Sequence, residues 1–158
     1  MGSEMCIRDR LIQSTAVELG WKTRHLDYDQ AFLNAPLDRF INVSFPHNLP
    51  PDMKNEMCYQ LTEALYGLRQ APLCWFTTLR DCLLHKLKFT QLSDDGPIFV
   101  KKGPQETFDD TVVVLIYVDN IQVCSGNDEI IEKTTFELLQ CFEGCNEDDL
   151  AWYLGCDL

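Results

Sequence analysis

Two aspartates near the ends of predicted strands are the residues whose types and spacing suggest chemistry. Asp119 follows residues 112–117, VVVLIY, an apolar and β-branched run of the length of a buried strand. A second short strand is predicted at 121–124, so only a tight turn can join the two, and Asp119 and Asn120 lie at or beside its tip. A carboxylate at the end of a buried strand is costly unless a cation, a helix N-terminus or solvent compensates its charge.

The second aspartate is Asp27, which ends a strand predicted at 22–28. In an antiparallel sheet the ends of neighbouring strands lie together, so Asp27 and Asp119 can converge. Converging carboxylates suit Mg²⁺, which takes hard oxygen ligands and leaves positions for water and substrate phosphate. Two such ions about 4 Å apart stabilise the attacking hydroxyl and the leaving pyrophosphate of in-line phosphoryl transfer. On this pattern alone, a solvated turn aspartate explains Asp119 equally well.

The elements that must position these aspartates are mostly strands, with two long amphipathic helices. Apolar alternation and apolar runs predict strands at 22–28, 41–45, 58–61, 98–100, 112–117 and 121–124, with a last extended piece at 152–158. Helices are predicted at 11–19, at 72–87 with an apolar stripe, and from a cap at Asn127 or Asp128 to Gly144. This order predicts an α+β fold, an antiparallel sheet with helices packed on one face.

Length and composition are those of one ordinary globular domain. The chain has 158 residues, of which 46% are hydrophobic and 24% charged. No apolar run reaches membrane-spanning length, and no secretory signal pattern is present at the N-terminus. The eight cysteines are scattered without a CxxC pair, which favours reduced thiols over a zinc site or a disulfide framework.

The excess of negative charge lies in residues 91–158. The formal net charge is -12, and residues 11–90 carry equal numbers of acidic and basic side chains, whereas residues 91–158 carry the surplus of acids. We therefore expect this chain by itself to bind nucleic acid weakly or not at all.

The first ten residues, MGSEMCIRDR, have no periodicity and do not fit the pattern that follows. They resemble translated sequencing-adapter read-through. The prediction is therefore that residues 1–10 are a scar outside the fold and that the natural chain starts further upstream.

Five motifs carry a resemblance to a known family. HLDYDQAFLNAPL, LYGLRQAPLCW, FTQLSDDGPIFVKK, LIYVDN and YLGCDL occur in the order and spacing of copia-type retrotransposon reverse transcriptases, so residues 11–158 resemble that family. The resemblance implies a partial, ferredoxin-like polymerase palm with a piece of the fingers, and RNA-directed DNA polymerase activity. It also implies two Mg²⁺ ions, with Mn²⁺ as an alternative, and an RNA or DNA template-primer and a dNTP as partners. The location implied is intracellular, in the cytoplasm and in the virus-like particle of the parent element, with no membrane.

The resemblance assigns roles to individual residues. Asp27 and Asp119 match the catalytic aspartates that hold the metal ions. Phe32 matches the bulky residue that excludes a ribonucleotide 2′-hydroxyl, although a simple core aromatic is an alternative. Gln70 matches the residue that contacts the incoming nucleotide and the templating base. Arg69 is a candidate phosphate contact, and an exposed arginine at a helix start is the equal alternative.

Two departures from the family put activity in doubt. Asn120 stands where active relatives have a second aspartate, and a neutral amide does not supply the charge that a divalent ion requires. From the resemblance we also expect the family's basic fingers segment and its thumb to be absent from this sequence. The expectation is an impaired polymerase. One alternative is a decayed, non-catalytic remnant of the same domain. A less favoured alternative is a ferredoxin-like RNA-binding module, which would require exposed aromatic and basic residues on its strands.

Overall fold

The computed structural model describes residues 7–44, 58–94, 96–148, 152–153 and 156–157. The helices are α1, Ile7–Glu18; α2, Ala71–Asp81, continued by a π-helical turn, Cys82–Lys86; and α3, Asp128–Leu139. The strands are β1, Lys22–Tyr28; β2, Pro36–Ser44; β3, Cys58–Glu63; β4, Thr90–Gln91; β5, Ile98–Lys102; β6, Thr111–Tyr117; β7, Asn120–Ser125; β8, Cys145–Asp148; β9, Trp152–Tyr153; and β10, Cys156–Asp157.

The main sheet has six strands in the order β4-β5-β6-β7-β1-β8, and all its neighbouring strands are antiparallel. Strands β2 and β3 form one separate antiparallel pair, and β9 and β10 form another. The chain divides into two compact units: unit 1 comprises residues 1–29 and 80–158, and unit 2 comprises residues 30–79. The predicted α+β class with an antiparallel sheet is confirmed.

Strands β6 and β7 form the apolar centre of unit 1. Their β-branched residues suit a pleated, buried surface, and Val114, Ile121 and Val123 are fully buried. Helix α3 begins where Asn127 caps it, because the Asn127 side-chain oxygen accepts hydrogen bonds from the backbone N–H groups of Glu129 and Ile130, at 3.0 and 3.4 Å.

Alternation along β1 and β7 gives the sheet two distinct faces. The hydroxyl of Tyr28 donates a 2.7 Å hydrogen bond to the carbonyl oxygen of Leu138 in α3, so the face that carries Tyr28 is covered by this helix. We call it the α3 face. Asp27 lies on the opposite face, together with Asn120, which is its partner in the register of the two strands. We call this opposite surface the site face.

Most predicted elements are present, with shifted ends. The predicted apolar stripe of α2 and its extension is buried at Trp75, Leu79, Leu83 and Leu87, and Phe76 is half-buried. Helix α3 ends at Leu139, before the predicted Gly144. Strand β2 starts earlier than predicted, at Pro36, and the predicted last residue of that strand, 45, lies outside the described residues.

Helix α1 begins at Ile7, inside the segment 1–10 that was predicted to lie outside the fold, and it ends at Glu18. The origin of that segment stays a prediction. Of the predicted extended piece at 152–158, residues 154–155 and 158 are not described, and the others form β9 and β10. Within the described part of the chain, no helix combines the length and the apolar character needed to cross a membrane.

Candidate active site

The centre of the candidate site is a pair of residues on neighbouring strands. Asp27 of β1 lies directly opposite Asn120 of β7. The backbone N–H of Tyr28 donates to the carbonyl oxygen of Asp119 at 3.0 Å, and this bond flanks the Asp27–Asn120 pair. A pair flanked in this way is of the non-hydrogen-bonded type, in which the Cα atoms are about 4.5 Å apart and the side chains approach each other most closely.

Asp119 joins this pair through the turn between β6 and β7. Tyr117 pairs with Asn120, so the connecting turn consists of two residues, Val118 and Asp119. The Asn120 side-chain N–H donates to a carboxylate oxygen of Asp119 at 3.1 Å. Asp119 is therefore in the turn and Asn120 beside it, as predicted, and β7 begins at Asn120, one residue before the predicted 121. All three side chains are half-buried, and the strand pairing places the three residues at the same end of β1 and β7.

The donor set fits a divalent ion in part. Mg²⁺ is commonly held by one or two carboxylates together with substrate phosphates, and Asp27 and Asp119 supply two carboxylates at one end of the sheet. Asn120 directs its N–H group at Asp119, which leaves its neutral carbonyl oxygen for an ion. Among the residues that the structure describes, no group of three or more His, Cys, Asp or Glu side chains is arranged to hold a metal. The residues present therefore fit one ion better than two.

The turn carries backbone strain beside Asp119. Val118 has a φ of 56°, in the left-handed region that β-branched residues avoid, and its side chain is exposed. Such a conformation costs roughly 1–2 kcal/mol for an ordinary residue, whereas Asn visits it readily.

Replacing Val118 with Asn is therefore expected to raise the free energy of unfolding by about 1 kcal/mol, as measured by urea denaturation. Val118→Ile keeps the β-branch and is expected to leave stability unchanged. If the two variants have equal stability, the strain at this position is not what the backbone angle indicates.

Strand β8 is an element of the site that the sequence did not reveal. It pairs with β1 on the side away from β7, with residue 146 opposite Asp27 in the register, and the N–H of Asp29 donates to the carbonyl oxygen of Gly144 at 2.7 Å. Asp27 is therefore held in an interior strand. Residues 145–148, CNED, have low strand propensity, which is why pattern analysis missed them. The glycine before them was the available signal, since Gly144 has a φ of 72°.

The other predicted site residues belong to unit 2. Phe32 is in a 3₁₀ turn, Ala31–Asn34, is only 7% exposed, and its ring packs against that of Tyr66 with centroids 4.4 Å apart. This packing is what a core aromatic makes, and the proposed contact with a nucleotide remains a prediction.

Arg69 and Gln70 lie immediately before α2. The carbonyl oxygen of Gln70 accepts the first helical hydrogen bond, from the N–H of Cys74 at 2.9 Å, so Gln70 is the N-cap residue. Arg69 is exposed and Gln70 is half-buried. The turn before them requires glycine, because Gly67 has a φ of 95°. The motif LYGLRQAP is therefore a surface turn that leads into a helix.

A groove of about 430 Å³ lies on the α3 face, between β5 and α3. Its lining includes Lys101, Lys102 and Lys133, together with Glu129 and Glu137. Neither Asp27 nor Asp119 lines this groove, so its shape says nothing about the candidate site.

Comparison with known proteins assigns the family. The model of the family described as reverse transcriptase (RNA-dependent DNA polymerase) matches residues 6–158. The retrovirus-related Pol polyproteins from transposons RE1 and RE2 of Arabidopsis thaliana are each 31% identical over 149 residues, which make up 94% of this chain and 10% of the polyprotein. The retrovirus-related Pol polyprotein from transposon TNT 1-94 of Nicotiana tabacum is 27% identical over 134 residues, 85% of this chain and 10% of that protein.

The chain thus spans about a tenth of the length of these polyproteins. The family match covers both units and includes every predicted site residue. The resemblance to copia-type enzymes drawn from the motifs is confirmed, and the chain belongs to the reverse transcriptase (RNA-dependent DNA polymerase) family.

Proposed function

We propose that this chain is the palm region of an RNA-directed DNA polymerase within a retrotransposon polyprotein. The single observation that carries the proposal is the meeting of Asp27, Asp119 and Asn120 at one end of β1 and β7. Polymerase chemistry requires carboxylates at a common point, and the strand pairing that puts Asp27 and Asp119 at one end of the sheet supports this assignment. The partners of the whole polyprotein are then an RNA or DNA template-primer and a dNTP, inside the cell.

Asp27 and Asp119 hold the divalent ion in this proposal. When bound, the ion neutralises charge on the transferring phosphate and lowers the pKa of the attacking hydroxyl. Asp27 is fixed by strands on both sides of β1, so its position changes little when substrate binds. Asp119 is fixed by the two-residue turn and by the hydrogen bond from Asn120.

Unit 2 would contribute contacts with the nucleotide. Phe32 is proposed to limit the space beside the sugar, Gln70 to contact the incoming nucleotide and the templating base, and Arg69 to contact a phosphate. The exposure of the LYGLRQ segment supports the last two assignments, since a buried segment could not reach a substrate. The burial of Phe32 against Tyr66 supports a rigid ring at the first position.

Because residue 120 is an asparagine, we expect the polymerase activity of this chain to be impaired. The asparagine removes one negative charge from the position where a second ion would bind, and the remaining two carboxylates suit a single ion. The alternative of a decayed, non-catalytic remnant is favoured by the same residue and by its hydrogen bond to Asp119, which occupies one carboxylate oxygen.

Paramagnetic Mn²⁺ tests the proposal on the chain itself. Mn²⁺ broadens NMR signals near its binding site, so amide signals of residues 26–29 and 118–121 should broaden at the lowest ion concentrations. Asp27→Asn should raise the concentration needed by about tenfold or more, because a charge contact with the ion is lost.

Asp38→Asn is the matched control, because Asp38 is an exposed aspartate on β2 paired with Arg39 and its loss changes the net charge equally. It should leave the broadening at 26–29 and 118–121 unchanged. Broadening that follows only the acidic surface of residues 128–143, with none at the candidate site, would contradict the proposal and favour the remnant.

A further inference from the structure

Two cysteines of unit 1 lie in contact, although their separation in sequence is 59 residues. Cys82 is the first residue of the π-helical turn that follows α2, and Cys141 follows the C-terminal end of α3. Their sulfur atoms are 3.0 Å apart, and the Cys82 thiol donates to the Cys141 sulfur. Both side chains are half-buried, so a small reagent can reach them from solvent.

The surroundings make the two thiols unequal. In its neutral form Cys141 donates to the carbonyl oxygen of Glu137 at 3.2 Å while it accepts from Cys82. The hydrogen bond from Cys82, assisted by the positive charge of Lys86, lowers the pKa of Cys141 to about 7. The same hydrogen bond, together with burial, raises the pKa of Cys82. Cys141 is therefore the nucleophile of the pair, and Cys82 is the neighbouring thiol that stays protonated.

The other cysteines whose side chains the structure describes lack this arrangement. Cys124 is buried on β7, and burial raises its pKa to about 11. The sulfur of Cys124 is 3.6 Å from the hydroxyl of Thr23. Its neighbour is therefore a hydroxyl group, whereas the neighbour of Cys141 is a thiol. Cys58 is exposed, on β3, and Cys74 is half-buried, on α2; both belong to unit 2.

We propose that Cys82 and Cys141 are a site of reversible oxidation, at which a hydroperoxide converts the two thiols into an intramolecular disulfide. The Cys141 thiolate attacks the terminal oxygen of the O–O bond and becomes a sulfenic acid, and the other oxygen leaves as an alkoxide, or as hydroxide when the oxidant is hydrogen peroxide. The Cys82 sulfur then attacks the Cys141 sulfur, the S–S bond forms, and the sulfenic oxygen leaves as water with the Cys82 proton. Two electrons pass from the sulfurs to the peroxide, and a dithiol reductant reverses the change.

The geometry requires little movement. A disulfide has an S–S length of about 2.05 Å, so the sulfurs must approach by roughly 1 Å. The bond would tie the end of α3 to the turn after α2. Leu138, three residues before Cys141, accepts the hydrogen bond from Tyr28, the neighbour of Asp27. The oxidised site would therefore restrain the end of α3, the helix that Tyr28 contacts.

Peptide mapping by mass spectrometry tests the proposal on the wild-type chain. After treatment with hydrogen peroxide and alkylation of the remaining thiols, the peptides that contain Cys82 and Cys141 should appear as one cross-linked species lacking two hydrogen atoms. A dithiol reductant should restore the separate peptides. Because the bond closes a long loop, the oxidised chain should melt roughly 5 °C or more above the reduced chain.

Two single variants separate the steps. In Cys82→Ser, oxidation should stop at a sulfenic acid on Cys141, which dimedone traps. Cys141→Ser should form no cross-link, and dimedone should trap no sulfenic acid at Cys82. Cys74→Ser is the control and should leave the cross-link unchanged. Peroxide treatment that modifies Cys74 or Cys58 at the same rate as Cys141, with no cross-linked peptide, would overturn the proposal.

Discussion

Replacing Asn120 with Asp is expected to raise the rate of primer extension by about 10- to 1,000-fold. At an effective dielectric constant near 20, one charge contact at ~4 Å is worth about 4 kcal/mol per unit of ion charge. A fraction of this energy realised in the transition state gives that range, since about 1.4 kcal/mol corresponds to a factor of ten in rate. The measurement is primer extension by a polyprotein that contains this segment, with and without the substitution.

Asn120→Ala is the matched control for this prediction. It removes the hydrogen bond to Asp119 without adding a carboxylate. It therefore shows whether a change in rate comes from the added charge or from the loss of that hydrogen bond. We expect Asn120→Ala to remain at or below the wild-type rate. Equal rates for Asn120→Asp and the wild type would show that the missing charge is not what limits activity.

Gly144→Ala is expected to lower the free energy of unfolding by about 2–4 kcal/mol. Gly144 has a φ of 72°, which costs an ordinary residue roughly 1–2 kcal/mol. An added Cβ would also lie 2.8 Å from the carbonyl oxygen of Asp29, a backbone atom that cannot move without disturbing the pairing of β8 with β1. Urea denaturation followed by tryptophan fluorescence measures the loss.

Gly20 offers a control with the same backbone conformation. Its φ is 67°, and no atom lies within 4 Å of a Cβ placed there. Gly20→Ala should therefore show only the conformational cost, roughly 1–2 kcal/mol. The difference between the losses of unfolding free energy in Gly144→Ala and Gly20→Ala measures the steric contact with Asp29. Equal losses would mean that β8 moves away from the added Cβ without a cost in stability.

The sequence predicted the strands that carry the site because those strands are strongly patterned. The apolar run at 112–117 and the short run after it could only be a hairpin, and the structure has β6 and β7 there. Asp27 and Asp119 were expected to converge, and the register of β1 with β7 brings them to the same end of the sheet. The start of β7 was predicted one residue too late, because periodicity does not fix which residues form a two-residue loop.

Other features depend on long-range contacts that local patterns do not encode. Strand β8 has almost no strand propensity and forms because β1 offers a free edge for backbone pairing. The strain at Val118 follows from the tightness of the turn, and valine itself gives no signal of it. The contact between Cys82 and Cys141 joins two helix ends far apart in sequence, so the scattered cysteines suggested only reduced thiols.

The pairing of β1 with β7 also has a consequence for biosynthesis. Residue 27 leaves the ribosome well before its partner at 120 is translated. The nascent β1 strand must therefore wait with unpaired backbone groups until β6 and β7 follow it. A chain whose translation stopped before residue 120 could not assemble this end of the sheet, and the backbone of β1 would be left without its β7 partner.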